Sequence, residues 1–298
     1  MLKYYQDLLK SLTDYSFLNE YLEDPLLKRL KSIGYFCGMD YASKHIYNFS
    51  EYISRYDHSL NVALITYYLT NNKIESLAGL YHDVSTPCFS HVIDYMNHDY
   101  LKQESTELLT REMLLQDDFL INTLPNNVET IINYKEYSVV DNDRPKLCAD
   151  RLDAVILNSY GWIKDIDKDD IDNIISNIYL EKNEDNEKEI AFKDINVARR
   201  VKELNDSINI AMHSSSDIYM MQLLADIVSE SIDKNILNYE DLYKLIEVDA
   251  LNAISSANDR SINNKLNLFF SIKEKDIPKT NVKVKDRCLS PLVRKRRL

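Results

Sequence analysis

His82 and Asp83 are adjacent in the chain, and two other segments can bring further ligands to them. His58 precedes this pair and Asp150 follows it. Two imidazoles and two carboxylates form a mixed nitrogen and oxygen ligand set for one divalent ion such as Mn, Fe, Co, Ni or Zn, with Mg as a further candidate. Consecutive helical side chains point about 100° apart, so adjacent residues reach one ion only where a helix ends or bends. The apolar pattern of residues 74–81 predicts a helix that runs into this pair.

Six segments of the chain resemble the HD-domain superfamily of metal-dependent phosphohydrolases, most closely its deoxynucleoside triphosphohydrolase-like branch. The matching segments are Leu27–Gly34, Arg55–Leu60 (RYDHSL), Ala78–Asp83 (AGLYHD), Phe89–Asp94 (FSHVID), Ala149–Asp153 (ADRLD) and Val284–Val293 (VKDRCLSPLV). The resemblance extends over roughly residues 24–293 and is dense only in the first half of the chain.

The resemblance implies that His58, His82, Asp83 and Asp150 hold one divalent ion. It implies a metal-dependent phosphohydrolase acting on a nucleotide or a related phosphate ester, with a (deoxy)nucleoside triphosphate among the candidate substrates. In such a reaction a water molecule activated by the metal attacks phosphorus. The expected partner is therefore a small phosphate-bearing molecule.

Four more residues are candidates for contact with that substrate. His91 is placed to act as an acid or to contact phosphate, with Asp94 three residues later as its orienting partner. Arg55 lies one helical turn before the first metal His, and Arg151 directly follows the last metal Asp, so either could bind a phosphate. Salt bridges for the two Arg residues and a structural hydrogen bond for His91 are the alternative interpretations.

Several positions depart from the pattern of the triphosphohydrolase branch. Thr86 replaces a His of the catalytic loop, Gln103-Glu104 replaces a His-Glu pair, Ala154 replaces a Tyr near the substrate sugar, and Asn158 replaces an Asp. The metal ligands of the family pattern are thus all present, whereas several of the residues that contact the substrate in that branch are replaced. Two alternatives stay open: a catalytically weakened nucleotide-binding regulator with the HD fold, or an HD-type phosphodiesterase or phosphatase with a different substrate.

Composition indicates a soluble protein of the cytoplasm. The 298 residues carry a net charge of −12 and four scattered Cys, with no membrane-length apolar run and no secretory signal at the N-terminus. The acidic balance disfavours nucleic acid as a partner. The basic stretch 294–297 is interpreted as a disordered, solvated tail. Self-association into a homo-oligomer is implied only by the resemblance.

The fold class predicted from periodicity and resemblance is mainly α: an HD-domain helical fold with a C-terminal helical lobe and a small β-hairpin excursion. The predicted parts are N-terminal helices with the metal-binding core over 1–163, the hairpin and helical lobe over 164–275, and a C-terminal segment with the basic tail over 276–298. The hairpin is placed between residues 174 and 193. A helix opening at Asp143-Arg144-Pro145 is expected to carry the last metal Asp.

Overall fold

A computed structural model describes residues 1–103, 105, 107, 109–124 and 127–298, and most of them are helical. The predicted mainly α architecture is therefore confirmed. The α-helices are α1 (Leu2–Ser11), α2 (Leu18–Tyr21), α3 (Pro25–Arg29), α4 (Arg55–Thr70), α5 (Lys73–Tyr81), α6 (Val92–Met96), α7 (Thr110–Leu115), α8 (Asp118–Thr123), α9 (Val128–Ile132), α10 (Ala149–Asn158), α11 (Lys168–Asn177), α12 (Ile195–Met212), α13 (Ser215–Asp233), α14 (Glu247–Ser256) and α15 (Arg260–Ser271). Short 3₁₀ helices cover Leu30–Ser32, Met39–Tyr41, Tyr134–Glu136, Tyr239–Tyr243 and Glu274–Asp276, and a π-helical turn covers Ser159–Ile163.

Helix α4 is the central element of the N-terminal half. Its start is fixed by a capping box, in which the Ser54 and Asp57 side chains each accept a hydrogen bond from the other residue's backbone N–H. Asn71 ends the helix in the left-handed conformation. Residues 58–66 are buried on every side, and α1, α5 and α10 pack against them. This packing fixes the relative positions of α4, α5 and α10, which carry the candidate ligands or lead into them.

A small sheet lies beside these helices. Strands β1 (Ile178–Lys182) and β2 (Lys188–Phe192) form the predicted antiparallel hairpin. Its first strand begins later than predicted, because residues 174–177 complete α11. Strand β3 (Leu292–Val293) adds to β2 in parallel, and β4 (Arg296–Arg297) pairs antiparallel with β3. The C-terminal residues therefore complete a sheet that starts in the middle of the chain.

The basic stretch 294–297 differs from the disordered tail expected from its composition. The Arg297 guanidinium lies 2.6 Å from the buried carboxylate of Glu189 and 2.6 Å from the exposed carboxylate of Glu184. An uncompensated buried carboxylate is costly, so this pairing holds the end of the chain against the hairpin. This partner could not be predicted from the sequence, because the hairpin and the C-terminal stretch are distant in the chain.

The helix that carries the last candidate ligand begins later than predicted. The Lys146 N–H donates to Asp143 O at 3.1 Å, which closes a turn in place of a first helical turn. The Leu147 carbonyl then accepts a hydrogen bond from the Ile190 N–H in β2, so it pairs with the sheet and not within a helix. Helix α10 begins only at Ala149. Tertiary pairing with β2 thus overrides the local helix signal.

The C-terminal helices pack onto the N-terminal ones. Helix α12 contacts α10 and α11, and α13 contacts α6 and α15. The predicted boundaries at residues 163 and 275 stay predictions. Among the residues that the structure describes, no helix combines the length and the apolar character that a membrane crossing requires.

Candidate metal centre and ligand cavity

His58 lies in the first turns of α4, where two carboxylates of α10 contact its ring. Its Nδ1 is 2.7 Å from Asp153 Oδ2, and its Nε2 is 3.0 Å from Asp150 Oδ1. A carboxylate only accepts hydrogen bonds, so Nδ1 carries a proton and its orientation is fixed by Asp153. Asp150 and Asp153 are one helical turn apart and share a face of α10. Its contact with Nδ1 makes Asp153 the residue that orients His58.

His82 lies directly after the last residue of α5, as the apolar pattern before it predicts. Its Nδ1 donates to Gly79 O at 2.7 Å, so its Nε2 is left as the ligand atom. This Nε2 lies 3.7 Å from Asp83 Oδ1 and 3.9 Å from Asp150 Oδ1. The end of α5 therefore lets two consecutive side chains face one point.

The donor set fits a divalent transition ion. His82 Nε2 is buried and has no hydrogen-bond partner among the described residues. The ligand atoms of His58, His82 and Asp150 all lie within 4.8 Å of one another, and Asp83 Oδ2 is 4.0 Å from His58 Nε2. Ligands about 2.1 Å from one ion are separated by roughly 3 to 4 Å, so the spacing matches. A buried nitrogen lone pair that faces two carboxylates is the arrangement a cation would satisfy.

The charges at this centre favour a positive group between the carboxylates. Burial alone would lower the pKa of His58, but its hydrogen bonds to Asp150 and Asp153 outweigh burial and raise that pKa to about 10. Burial would raise the pKa of Asp83, yet the neighbouring His82 and Arg55 help to lower it to about 2. The raised pKa of His58 reflects the negative charge of the two carboxylates beside it, and the lowered pKa of Asp83 keeps that side chain ionised and able to bind a cation.

A second group of donor atoms shares Asp150. Asp141, Cys148 and Asp150 also lie within 4.8 Å of one another. Burial raises the pKa of the Cys148 thiol to about 12, so it stays protonated at neutral pH. Asp141 is already paired with Arg151 at 2.9 Å. This second group is therefore the poorer donor set.

The two candidate phosphate-binding Arg residues both have acidic partners. Arg55 Nη1 donates to Asp83 Oδ2 at 3.0 Å, and its guanidinium lies over the Tyr35 ring at 5.0 Å. Arg151 donates to Asp141 Oδ1 and to the Asn142 side chain. Both Arg residues also line the cavity described below. The salt-bridge alternative is thus present for both, while their cavity position leaves them within reach of a ligand.

His91 and Asp94 form a hydrogen-bonded pair beside the metal centre. His91 Nδ1 is 2.8 Å from Asp94 Oδ2, and the fully buried Asp94 also accepts the Ser105 N–H at 2.9 Å. Burial lowers the pKa of His91 although Asp94 acts to raise it. Phe89 and Ser90 both adopt left-handed backbone conformations, with φ of 65° and 48°, and this unusual turn delivers His91.

The centre opens into a cavity of about 480 Å³, within the range of small-molecule sites. One part of its wall is aromatic: Phe36 stacks on Phe49 at 4.1 Å between ring centroids, Phe49 stacks on Tyr47, and Tyr47 contacts Trp162. Trp162 lies on the π-helical turn that follows α10. Sequence reasoning did not find this aromatic wall, although the single Trp and the aromatic-rich stretch 35–49 were available signals.

The positions that depart from the family pattern lie in different places. Thr86 is buried outside the cavity wall, whereas Gln103, Ala154 and Asn158 line it. Asn158 Nδ2 donates to Tyr35 OH at 3.3 Å. Glu104, the second residue of the replaced His-Glu pair, lies outside the described residues. Three of the positions at which the chain departs from the family pattern therefore lie in the cavity wall.

Comparison with known proteins agrees with the coarser part of the resemblance. The sequence model of the HD domain family matches residues 55–157, which contain all eight candidate site residues. The uncharacterized protein YdhJ of Bacillus subtilis (strain 168) is 27% identical over 147 residues, which is 49% of this chain and 44% of that protein. The chain therefore covers less than half the length of this relative. An HD domain is present, and the triphosphohydrolase-like branch stays a proposal.

Proposed function

We propose that this protein is a metal-dependent phosphohydrolase that acts on a nucleotide or a related phosphate ester. The observation that carries the proposal is the convergence of His58 Nε2, His82 Nε2 and Asp150 at the wall of the cavity, with both Nδ1 atoms engaged elsewhere. HD domains are generally metal-dependent hydrolases, which agrees with this donor set.

Four residues would hold the ion: His58, His82, Asp83 and Asp150. When bound, the ion supplies Lewis acidity, which makes water a nucleophile near neutral pH and polarises a phosphate oxygen. Arg55 keeps Asp83 ionised through its 3.0 Å ion pair, so the carboxylate remains a ligand. Oxygen and nitrogen ligands of this kind suit Mn, Fe, Co, Ni or Zn, with Mg as a further candidate.

His91 is the proposed proton-transfer residue. Because Nδ1 donates to Asp94, the lone pair of Nε2 is available to the substrate or to water. The lowered pKa of His91 makes the ring neutral at neutral pH in the free protein, so Nε2 first serves as a proton acceptor. A role as general acid requires that the substrate's phosphate raise the pKa of His91 on binding.

The rest of the cavity supports a nucleotide as the substrate. The aromatic wall of Phe36, Phe49 and Trp162 offers flat apolar surfaces for a base, while Arg55 and Arg151 offer positive charge. Ala154 leaves room where the triphosphohydrolase branch has a ring. This change favours a substrate with a different sugar or orientation from that of the branch.

A nucleotide-binding regulator is the second candidate. Thr86, which stands where the family has a His in its catalytic loop, is buried outside the cavity wall and so does not supply the function of that His. A regulator would bind metal and nucleotide without efficient turnover. The two candidates therefore make different predictions for a product assay.

The experiment that tests the proposal is a product assay with the full chain and Mn²⁺. Ribo- and deoxyribonucleoside mono-, di- and triphosphates are incubated separately, and the products are resolved by chromatography and phosphorus NMR. His82→Ala protein, purified identically, controls for contaminating phosphatases, and His98→Ala controls for loss of an exposed imidazole. Turnover that His82→Ala loses and His98→Ala keeps supports the proposal.

Tripolyphosphate release identifies triphosphohydrolase chemistry, and orthophosphate release from a monophosphate identifies a phosphatase. Metal and nucleotide binding without turnover favours the regulator.

A further inference from the structure

Three cationic side chains from two distant parts of the chain meet at the cavity. Arg144 comes from the turn before α10, and Lys285 and Arg287 come from the extended segment before β3. All three line the cavity that contains the metal centre. Their charges lie close enough for each to influence another: Arg287 acts on Arg144, and both act on Lys285. We call these three residues the cationic cluster.

The segment that carries Lys285 and Arg287 is held on two sides. The Lys285 N–H donates to Tyr100 O at 2.9 Å on one side. On the other side, Asn209 Oδ1 accepts the Arg287 N–H at 3.0 Å, and Asn205 Nδ2 donates to Arg287 O at 2.9 Å. The backbone of this segment therefore borders the cavity of about 480 Å³, and α12 holds it in place. The two side chains are preorganised by these contacts.

Neutral acceptors contact the cluster. Arg144 Nη1 donates to Cys288 O at 3.3 Å, Lys285 Nζ donates to Lys102 O at 2.7 Å, and Arg287 donates to Gln103 Oε1. Among the described residues, no carboxylate lies within 4.0 Å of the charged atoms of any of the three. The direct contacts of the cluster are therefore with neutral dipoles, and the acids that act on it, Asp150 on Arg144 and Glu107 and Asp94 on Lys285, do so without forming an ion pair.

The charge balance around the cluster favours an incoming anion. Burial, with the charge of Arg287, lowers the pKa of Arg144 to about 10, and burial with both Arg residues lowers that of Lys285. Asp217 is the buried acid on the Arg287 side, but burial raises its pKa to about 7 and its Oδ1 accepts the Tyr47 hydroxyl. Like charges gathered at a cavity wall cost free energy that a bound anion would recover.

The cluster lies on the His91 side of the cavity. Arg287 donates to Gln103 Oε1, and two residues later the Ser105 N–H donates to Asp94, the hydrogen-bond partner of His91. Burial, together with the charges of Arg55 and Arg287, lowers the pKa of His91. His91 is therefore within electrostatic range of both the cluster and the metal centre. A ligand with two anionic groups can bind at both places while it faces His91.

We propose that Arg144, Lys285 and Arg287 form a second anion-binding subsite, which holds a phosphate group other than the one at the metal centre. The ligand class is then a molecule with at least two phosphates, such as a nucleoside polyphosphate. This inference deepens the proposed function and rests on it for the identity of the ligand, but the subsite itself binds phosphate whether or not hydrolysis follows.

The test is binding of inorganic tripolyphosphate and orthophosphate to the full-length chain by isothermal titration calorimetry. Each titration is done with the protein as purified and again after dialysis against EDTA, so that the contribution of metal is separated. The variants are Arg287→Gln, Lys285→Gln and Arg144→Gln. Lys283→Gln is the matched control, because Lys283 is exposed on the same segment and lies outside the cavity wall. Thermal melting checks that each variant folds.

We expect EDTA-treated wild-type protein to bind tripolyphosphate more tightly than orthophosphate. Each cluster variant should weaken tripolyphosphate binding by tenfold or more, and Lys283→Gln by less than twofold. Wild-type protein that does not bind tripolyphosphate, or folded cluster variants that bind it as wild type does, would overturn the inference. Arg144→Gln is the safeguard if the other two misfold, since its guanidinium makes one hydrogen bond, to a carbonyl.

The outcomes for the subsite and for the proposed function are distinguishable. Cluster-dependent tripolyphosphate binding without hydrolysis of any phosphate ester in Mn²⁺ would refute the phosphohydrolase and support the subsite. Hydrolysis at the same rate in wild-type and cluster variants, together with unaltered tripolyphosphate binding, would support the phosphohydrolase and refute the subsite.

Discussion

His58 Nδ1 and Asp153 Oδ2 are 2.7 Å apart in the interior, and this contact determines where the other nitrogen of the ring points. With Nδ1 held by Asp153, Nε2 faces Asp150 and the cavity. His82 uses Gly79 O in the same way. Both imidazoles are therefore oriented with Nε2 towards the candidate metal position before any ion arrives. The raised pKa of His58 keeps a proton on its Nε2, which a bound metal ion would displace.

Replacement of Asp153 tests this orientation. We expect Asp153→Asn to weaken metal binding by about 10- to 100-fold, because an amide holds the ring less firmly and leaves His58 less basic. Competition with a chromogenic chelator measures the affinity. Asp94→Asn is the matched control, since Asp94 is also buried and also orients a His, but one outside the ligand set. Equal metal affinity in both variants would refute the orienting role of Asp153.

Removal of His82 tests the ligand set itself. We expect His82→Ala protein to lose stoichiometric metal and to remain folded, because its ring makes one hydrogen bond, to Gly79 O. Inductively coupled plasma mass spectrometry measures metal content, and circular dichroism follows folding. His98→Ala should keep wild-type metal content, since His98 is exposed and contacts only Tyr100. Full metal occupancy in folded His82→Ala protein would show that the ion binds elsewhere.

The candidate metal ligands lie in short segments with local signals, which is why the sequence alone predicts them. The helix over 74–81 predicts that His82 and Asp83 meet at its end, and the spacing of Asp150 and Asp153 places both on one face of α10. The cationic cluster had no such signal, because Arg144 and Arg287 are distant in the chain and reach one cavity only through tertiary contacts such as that of Arg144 with Cys288 O.

Two local predictions failed because tertiary contacts outweighed local preference. Asp143 followed by Pro145 is a strong signal for the start of a helix. The Leu147 carbonyl instead accepts a hydrogen bond from β2, and the helix begins only after Leu147. The basic stretch 294–297 has the composition of a disordered tail, yet Arg297 finds a buried carboxylate. Composition and helix propensity depend on local sequence only, so they predict neither the contact with β2 nor the contact with a buried carboxylate.

Replacement of His91 separates catalysis from metal binding. We expect His91→Gln to lower kcat by about 10²- to 10⁴-fold with metal content unchanged, because Gln can hydrogen-bond but cannot transfer a proton. The assay is steady-state hydrolysis of whichever phosphate ester the product assay identifies. Asp94→Asn should lower kcat less and alter its pH profile, since it acts only through His91. An unchanged kcat in His91→Gln would leave His91 with a structural role.

The Arg297–Glu189 ion pair should stabilise the whole protein. Glu189 is fully buried, so Arg297→Gln leaves its carboxylate with the Leu147 N–H and the Asn183 amide as remaining partners. We expect a loss of about 2–4 kcal/mol in the free energy of unfolding, measured with urea. Adding Glu189→Gln should recover part of this loss, because the unpaired charge is removed. A single Arg297→Gln effect near zero would mean that the pair contributes nothing.

Glu247, a residue outside the candidate ligand set, gives the protein a dependence on pH. Its buried carboxyl accepts the Phe89 N–H at 3.2 Å, at the start of the left-handed turn that delivers His91. Burial, reinforced by the charge of Asp40, raises the pKa of Glu247 from 4.5 to about 8. Gly34 allows this approach of two acids: a Cβ there would lie 2.8 Å from Asp40 Oδ2 and 3.1 Å from Glu247 Oε2.

The sign of the pH effect follows from the raised pKa. Below about pH 4.5 both folded and unfolded chains are protonated at Glu247, and its contribution to stability is fully present. Between about pH 4.5 and 8 the unfolded chain loses the proton and the folded one keeps it, so stability falls as pH rises. Above about pH 8 the folded carboxyl also ionises and the loss levels off.

We therefore expect Glu247→Gln to become progressively more stable relative to wild type as pH rises from 5 to 8, by on the order of a few kcal/mol over that interval. Gln keeps an acceptor for the Phe89 N–H and has no charge to bury, so the turn is retained. Urea unfolding at pH 5, 6, 7 and 8 measures the difference between the two proteins at each pH. This comparison cancels the titration of Asp217, whose pKa burial raises to about 7. The charge of Asp40, whose pKa burial raises to about 6, acts on Glu247 and therefore contributes to the difference. The exposed Glu240→Gln is the control and should show a constant difference. A constant difference for Glu247→Gln as well would mean that this carboxyl is ionised in the folded protein across the whole range.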